Sequence, residues 1–351
     1  MAEIGSLALE FTRLSQLTGD PKYYDSVQRI TNALAAQQNF TKIPGLWPIA
    51  LNAATLNFTH DRMFTFGGMA DSMYEYLPKE YLMLGGLESQ YQTMYEVAIE
   101  AAKTHLFFRP MTPENHDILI SGTAKLDDVD EKIQLDPLGQ HLTCFVGGMI
   151  AIASKIFSRP DDFDDARKLV EGCIWSYNST LTGIMPELFH VVPCPDPNNC
   201  GWNQQEWYNS VNRSHEPNDE HPMPLDERAE MLIQLFHLPP GFTEIKESKY
   251  ILRPEAIESL FIMYRITGEK RYQDIAWQMF VNIDRQCRTK LSFAAIRDIS
   301  VDLGPKMDSS ESFWMAETLK YLYLIFSEPE LVSLDEWVFN TEAHPLRRPR
   351  A

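Results

Sequence analysis

The chain of 351 residues predicts an all-α fold of repeated αα-hairpins. Three observations carry that expectation. Apolar residues recur at helical spacing through most of the sequence, and no convincing run alternates as a half-buried strand would. A punctuation motif repeats, LTGDPKYYDSVQRI at 17–30 and ITGEKRYQDIAWQMF at 266–280. Each copy ends one helix at a glycine and opens the next with an acid, a base and a tyrosine: Gly19, Asp20, Lys22 and Tyr23, then Gly268, Glu269, Arg271 and Tyr272. Glycine just past a helix end and an acid near the next start are stop and start signals. Finally, long polar connections lie between the hairpins, not within them.

In chain order, the periodicity predicts helices over 4–17, 21–37, 70–84, 88–107, 138–157, 161–178, 254–266, 269–287 and 311–327. The LTGD turn joins the first pair and the ITGE turn the pair near 268. Looser copies, LGGLESQYQTMYEVA at 84–98 and FSRPDDFDDARKLV at 157–170, join two more. The helix from 254 opens with Pro254, which fits a first turn because its missing N–H costs nothing there. The stretches 40–67, 108–137, 183–248 and 289–310 read as polar connections. Short turns on one side and long loops on the other put binding groups on the long-loop side.

A formal net charge of −18 and a pI near 4.9 argue against nucleic acid and anionic membrane surfaces as partners. The 44% hydrophobic content supports a sizeable core. No run of about 18 apolar residues suggests a membrane span. A monomer is expected. Four N-x-S/T triplets, at Asn39, Asn57, Asn178 and Asn212, point to a secreted or lumenal protein. The five cysteines agree. Cys194 and Cys200 flank CPDPNNC, a spacing that suits a short disulfide. Cys144 and Cys173 lie on successive predicted helices and could form a second bridge, which leaves Cys287 as a free thiol. Five reduced thiols are the alternative. No leader precedes AEIGSLALEF, so the start of a secretory parent is expected to be missing.

Chemistry concentrates where long loops meet helices. In YILRPEAIESLF (250–261), Glu255 and Glu258 share a helix face beside Arg253. Acids in a first turn complement the helix dipole, which is the structural reading. Asp71, His141, Glu187, Phe313, Glu317 and Glu342 occupy similar junctions. If the array of hairpins closes, all of them converge at one mouth; an open helical repeat that binds protein would disperse them.

The stretches AEIGSLALEF (2–11), GGMADSMYEYLPKEYLMLGG (67–86), QHLTCFVGGMIAI (140–152), GIMPELFH (183–190), YILRPEAIESLFIMYRITG (250–268), ESFWMAETLKYLYLIFS (311–327) and VFNTEAHPL (338–346) resemble glycoside hydrolase family 47, the class I α-1,2-mannosidases. The match runs in order along nearly the whole chain and looks closest to fungal members. The resemblance implies an (α/α)7 toroid of αα-hairpins, here incomplete at the N-terminus, with residues 1–351 forming a single catalytic domain. It implies a Ca²⁺-dependent, inverting exo-α-1,2-mannosidase that trims high-mannose N-glycans in the secretory pathway (endoplasmic reticulum or Golgi lumen) or outside the cell. Inversion needs an acid for the leaving oxygen and a base for water on the opposite face, roughly 6.5–9.5 Å apart.

By resemblance, Glu255 is the general base and Asp71 the second active-site carboxylate. Arg253 orients the sugar, and Glu258 binds a hydroxyl or the water shell of the metal. Glu3, His141, Glu187, Glu317 and Glu342 match further polar positions of the pocket, and Phe313 supplies a platform beneath the ring. Thr341 matches the calcium ligand, through hydroxyl and carbonyl. Cys144 and Cys173 match the family's disulfide. Read without the resemblance, Glu3 is a helix-start acid, His141 a satisfied core histidine and Phe313 ordinary core. Two departures stand out. Met69 lies two residues before Asp71, where endoplasmic-reticulum members carry an arginine, so broad trimming is expected. The family's general acid belongs to an upstream helix, so the chain as written is expected to be an inactive fragment. A non-catalytic mannose- or N-glycan-binding quality-control lectin is the rival reading.

Overall fold

A computed structural model describes residues 1–215 and 223–349. Its helices, in chain order, are α1 (Ala2–Gly5), α2 (Ala8–Thr18), α3 (Lys22–Gln37), α4 (Asp71–Met83), α5 (Ser89–His105), α6 (Phe145–Ile156), α7 (Asp162–Asn178), α8 (Gln204–Ser214), α9 (Leu225–Phe236), α10 (Glu255–Thr267), α11 (Arg271–Cys287) and α12 (Leu319–Ile325). The expected αα-hairpins are present: α2 packs on α3, α4 on α5, α6 on α7 and α10 on α11.

Burial sorts these helices into two layers. In α4, Ser72–Glu80 are buried without interruption, and α6 and α10 are buried on nearly every side. Helices α3, α5, α7 and α11 bury one stripe and expose the rest, as amphipathic outer helices do. The inner helices pack side by side in the order α2, α4, α6, α10, α12. The turns between layers match their sequence signals. Gly19 and Gly268 both end their helices in the left-handed region, at φ 72° and 70°, where a side chain would cost energy. In the looser FSRPDD copy, Ser158 takes that conformation at φ 55°.

Close approach explains the pair Gly147–Gly148 in α6. A Cβ on Gly147 would lie 2.5 Å from Val170 of α7, and one on Gly148 2.9 Å from Ile262 of α10. The Gly148 N–H donates to Ser259 Oγ at 2.9 Å. Cys144 and Cys173, with Cα atoms 5.9 Å apart, join the start of α6 to α7 by a disulfide. Cys194 and Cys200 form the second bridge, with Cα atoms 5.5 Å apart. Cys287 is a buried free thiol, and burial pushes it up to about 12.

The structure corrects five expectations. The segment 4–17 divides into α1 and α2. The segment 138–157 starts as a strand and a 3-10 turn, His141–Cys144. The segment 311–327 opens with a π-helical turn, Trp314–Thr318. The connection 183–248 holds helices α8 and α9, whose short amphipathic runs are flanked by loop residues that masked them. The expected absence of strands also fails. Short antiparallel strands line the connections: β1 (Met63–Thr65), β2 (Phe107–Phe108), β3 (Ile120–Ser121), β4 (Thr123–Leu126), β5 (Ile133–Asp136), β6 (Leu138–Gln140), β7 (Leu188–Val191), β8 (Phe242–Glu247), β9 (Trp337–Phe339) and β10 (Pro345–Arg347). They form sheets β1-β4-β5 and β6-β7-β8 and hairpins β2-β3 and β9-β10. Runs of two to six residues are too short to show alternation.

Candidate active site

The inner helices begin where the long connections arrive. Asp71 is the first residue of α4 and Glu255 the first of α10. Phe313 precedes the π-helical turn that carries Glu317, and the β9-β10 turn carries Thr341 and Glu342. Three non-glycine residues beside these positions are left-handed: Met69 at φ 73°, Leu252 at φ 70° and Ala343 at φ 56°. Each such residue costs roughly 1–2 kcal/mol, and such outliers persist where the surroundings over-determine them. Leu252 is fully buried, and its carbonyl accepts from Thr318 Oγ1 at 2.7 Å. That anchor aims Arg253 and Glu255.

Arg253 is held on both sides. Its Nε donates to Glu187 Oε2 at 2.6 Å, and its Nη1 lies 3.5 Å from Glu255 Oε1. Its guanidinium sits 5.8 Å from the centre of the Phe313 ring. Glu187 Oε1 is buried and finds no donor among the described residues. The other oxygen of Glu255, Oε2, is 3.0 Å from His141 Nδ1. His141 Nε2 is 2.7 Å from the Tyr177 hydroxyl. His141 is fully buried with both ring nitrogens engaged, so it reaches the mouth only through Glu255.

One turn deeper, Lys79 is buried between Glu75 and Glu258, 3.5 Å from Glu258 Oε1, which also accepts from the Tyr321 hydroxyl at 3.2 Å. Sequence reasoning missed Glu75 and Lys79. Their i,i+4 spacing after Asp71 was a usable signal, since such residues share a helix face. Tyr177 and Tyr321 had none, because their partners, His141 and Glu258, are far away in the chain.

The carboxyls raise one another. Burial, then the fields of Glu75 and Glu255, pushes Asp71 up to about 6, although Ser72 N–H donates to it at 2.8 Å. Burial, then Glu258, Glu255, Glu75 and Glu342, pushes Glu317 up to about 8. Burial likewise raises Glu258. Two buried cations, Lys79 and Arg253, with Lys320 at the edge, stand against this larger set of acids. Glu3 is exposed on the first turn of α1, whose Ala2 N–H donates to the Met69 carbonyl at 2.8 Å. Thr341 is tied to the same neighbourhood: its N–H donates to the Tyr76 hydroxyl at 3.2 Å, and Tyr76 donates to Glu10 at 2.7 Å.

This donor set suits a hard cation. It offers oxygen only, with excess negative charge. Among the described residues, no three His, Cys, Asp or Glu side chains converge as direct ligands. The carboxylates would therefore meet an ion through water, which Ca²⁺ tolerates in its shell.

The family model for glycosyl hydrolase family 47 matches residues 1–348. A mannosyl-oligosaccharide α-1,2-mannosidase 1B of Emericella nidulans is 36% identical over 99% of this chain and 62% of its own length. The human endoplasmic reticulum mannosyl-oligosaccharide 1,2-α-mannosidase is 33% identical over 99% of this chain and 43% of its own. The solved α-1,2-mannosidase from Trichoderma reesei superposes with a TM-score of 0.79 at 30% identity, over 99% of this chain and 66% of that one. The chain thus spans about two fifths to two thirds of these relatives, along the same α/α architecture. With nearly its whole length covered by the family model, the chain belongs to glycosyl hydrolase family 47.

Proposed function

We propose that the protein removes terminal α-1,2-linked mannose from high-mannose N-glycans with inversion, with Glu255 as the base. The observation that carries this reading is the clamp on Glu255: Oε2 is bound by His141 and Oε1 is turned toward Arg253. An oriented, ionised carboxylate at the start of a helix can take a proton from water as that water attacks the anomeric carbon. Glu187 Oε1, an acceptor without a donor among the described residues, suits a sugar hydroxyl, and Phe313 suits an apolar sugar face. The mannosidase activities named for the relatives support the same substrate class.

Asp71, one of three raised carboxyls in this neighbourhood, could supply the second proton transfer, directly or through water. The resemblance instead puts the general acid upstream of residue 1. Thr341 would hold a Ca²⁺, with Glu258, Glu317 and Glu342 ordering its waters. When bound, the ion supplies a positive anchor for ring hydroxyls. Met69, exposed beside Asp71, offers no guanidinium to grip one branch, which favours broad trimming. Two disulfides and exposed sequon asparagines at 39, 57 and 178 support a lumenal or secreted location. Among the described residues, no helix is long and apolar enough to cross a membrane.

Mannose release from a high-mannose N-glycan by the full-length protein tests the proposal. Glu255→Gln should cut release by at least about 10²-fold. Sugar binding without release in either form would establish the lectin reading instead. The source of the acid is separable. Release by the 351-residue chain that Asp71→Asn abolishes assigns the acid to Asp71, whereas release by the full-length protein alone assigns it upstream.

A further inference from the structure

We propose that Tyr177 is a positioning residue that holds His141 in one neutral tautomer and thereby decides which oxygen of Glu255 faces water. The catalytic meaning of this arrangement rests on Glu255 being the base. Its geometry does not.

Two hairpins, α6–α7 and α10–α11, meet here. Tyr177 comes from the last turn of outer helix α7, His141 from the turn before α6, and Glu255 from the start of α10. The Cys144–Cys173 disulfide ties α7 to the His141 turn. Tyr177 and His141 are both fully buried. The chain of contacts is Tyr177 hydroxyl to His141 Nε2 at 2.7 Å, then His141 Nδ1 to Glu255 Oε2 at 3.0 Å. An ionised carboxylate only accepts, so Nδ1 must carry the hydrogen. In the neutral ring, Nε2 is then an acceptor and needs a donor, and the Tyr177 hydroxyl is that donor. Tyr250, whose ring lies 5.8 Å from that of His141, donates its hydroxyl to the Arg253 carbonyl at 3.4 Å and not to the imidazole.

The Tyr177 hydroxyl occupies the Nε2 lone pair, and Glu255 occupies the Nδ1 hydrogen. With Oε2 committed to His141, Glu255 Oε1 is the oxygen left to receive a proton from water.

The test is the ¹⁵N spectrum of the histidine rings between pH 5 and 8, with His141→Gln identifying the resonances among nine histidines. Wild type should show His141 protonated at Nδ1 and bare at Nε2. Tyr177→Phe removes one hydroxyl and nothing else. It should weaken the tautomer preference by about fivefold, the size expected for losing one such hydrogen bond. Tyr250→Phe, which keeps the donor, should shift it less, and serves as the probe if Tyr177→Phe fails to fold. Nε2 protonation in wild type, an unchanged His141 tautomer ratio in Tyr177→Phe, or an equal or larger change in Tyr250→Phe would overturn the proposal. Because the spectrum does not depend on turnover, this relay and the role of Glu255 as base fail separately: only the Glu255→Gln rate bears on the latter.

Discussion

At the scale of single residues, Asp71 carries the sharpest consequence. Its carboxyl is raised by burial from the ordinary range to about 6, so its ionised form is a cost to the folded state. Below about pH 4 both folded and unfolded chains hold the proton, and the cost is absent. Between pH 4 and 6 the unfolded chain ionises first, so stability falls as pH rises; above 6 the penalty is constant. Asp71→Asn should therefore stabilise the protein by about 2 kcal/mol at pH 7 and by almost nothing at pH 4. Urea unfolding at the two pH values, in the presence of chelator, checks this. Equal gains at both would show that burial does not raise Asp71. Met69, Leu252 and Ala343 belong to the same scale. None is a glycine, all three are left-handed, and each adjoins a candidate residue. No propensity marks them, because the conformation is imposed by the anchors around them.

At the scale of elements, helix-to-helix distance is set by missing side chains. Gly148 lets α6 approach α10 closely enough for its N–H to reach Ser259. A methyl there would meet Ile262 and the Ser259 backbone within 3.1 Å, so α10 must move or strain. Gly148→Ala should cost about 1–3 kcal/mol of stability and weaken the His141–Glu255 contact, since those residues start the two helices concerned. Thermal unfolding and the His141 ring spectrum would show both effects; an Ala variant with wild-type values in both would mean the contact is slack. The αα-hairpins were legible because Gly19 and Gly268 punctuate them. Helices α8 and α9 were not, because the runs are short and lie inside a polar stretch.

At the scale of the whole molecule, the charge of −18 is not spread evenly. Several carboxyls sit together at the inner helix starts, and Glu317 is pushed up to about 8 by burial and by Glu258, Glu255, Glu75 and Glu342. At pH 7 Glu317 therefore holds its proton. A bound divalent cation would favour its ionised form, so Ca²⁺ binding at pH 7 should release close to one proton, and at pH 9 almost none. Calorimetry in two buffers of different ionisation enthalpy measures this, and Glu317→Gln should remove the release. Chelation should lower Tm through mass action. A Ca²⁺ titration with no proton release at pH 7 would separate Glu317 from the ion.

The sequence by itself determined the helical class, the hairpin turns and the motifs that mark the family. Those features are local, or are carried by residue order: a glycine past a helix end or an acid in a first turn acts within a few residues. Only the tertiary structure decided what His141 does. Read alone, it was either a core histidine or a sugar ligand. Folded, it is buried between Tyr177 and Glu255, which lie 36 and 114 residues away in the chain. The same holds for the raised carboxyls, because a pKa follows from burial and from charges on neighbouring helices. No spacing in one dimension records which hairpins meet.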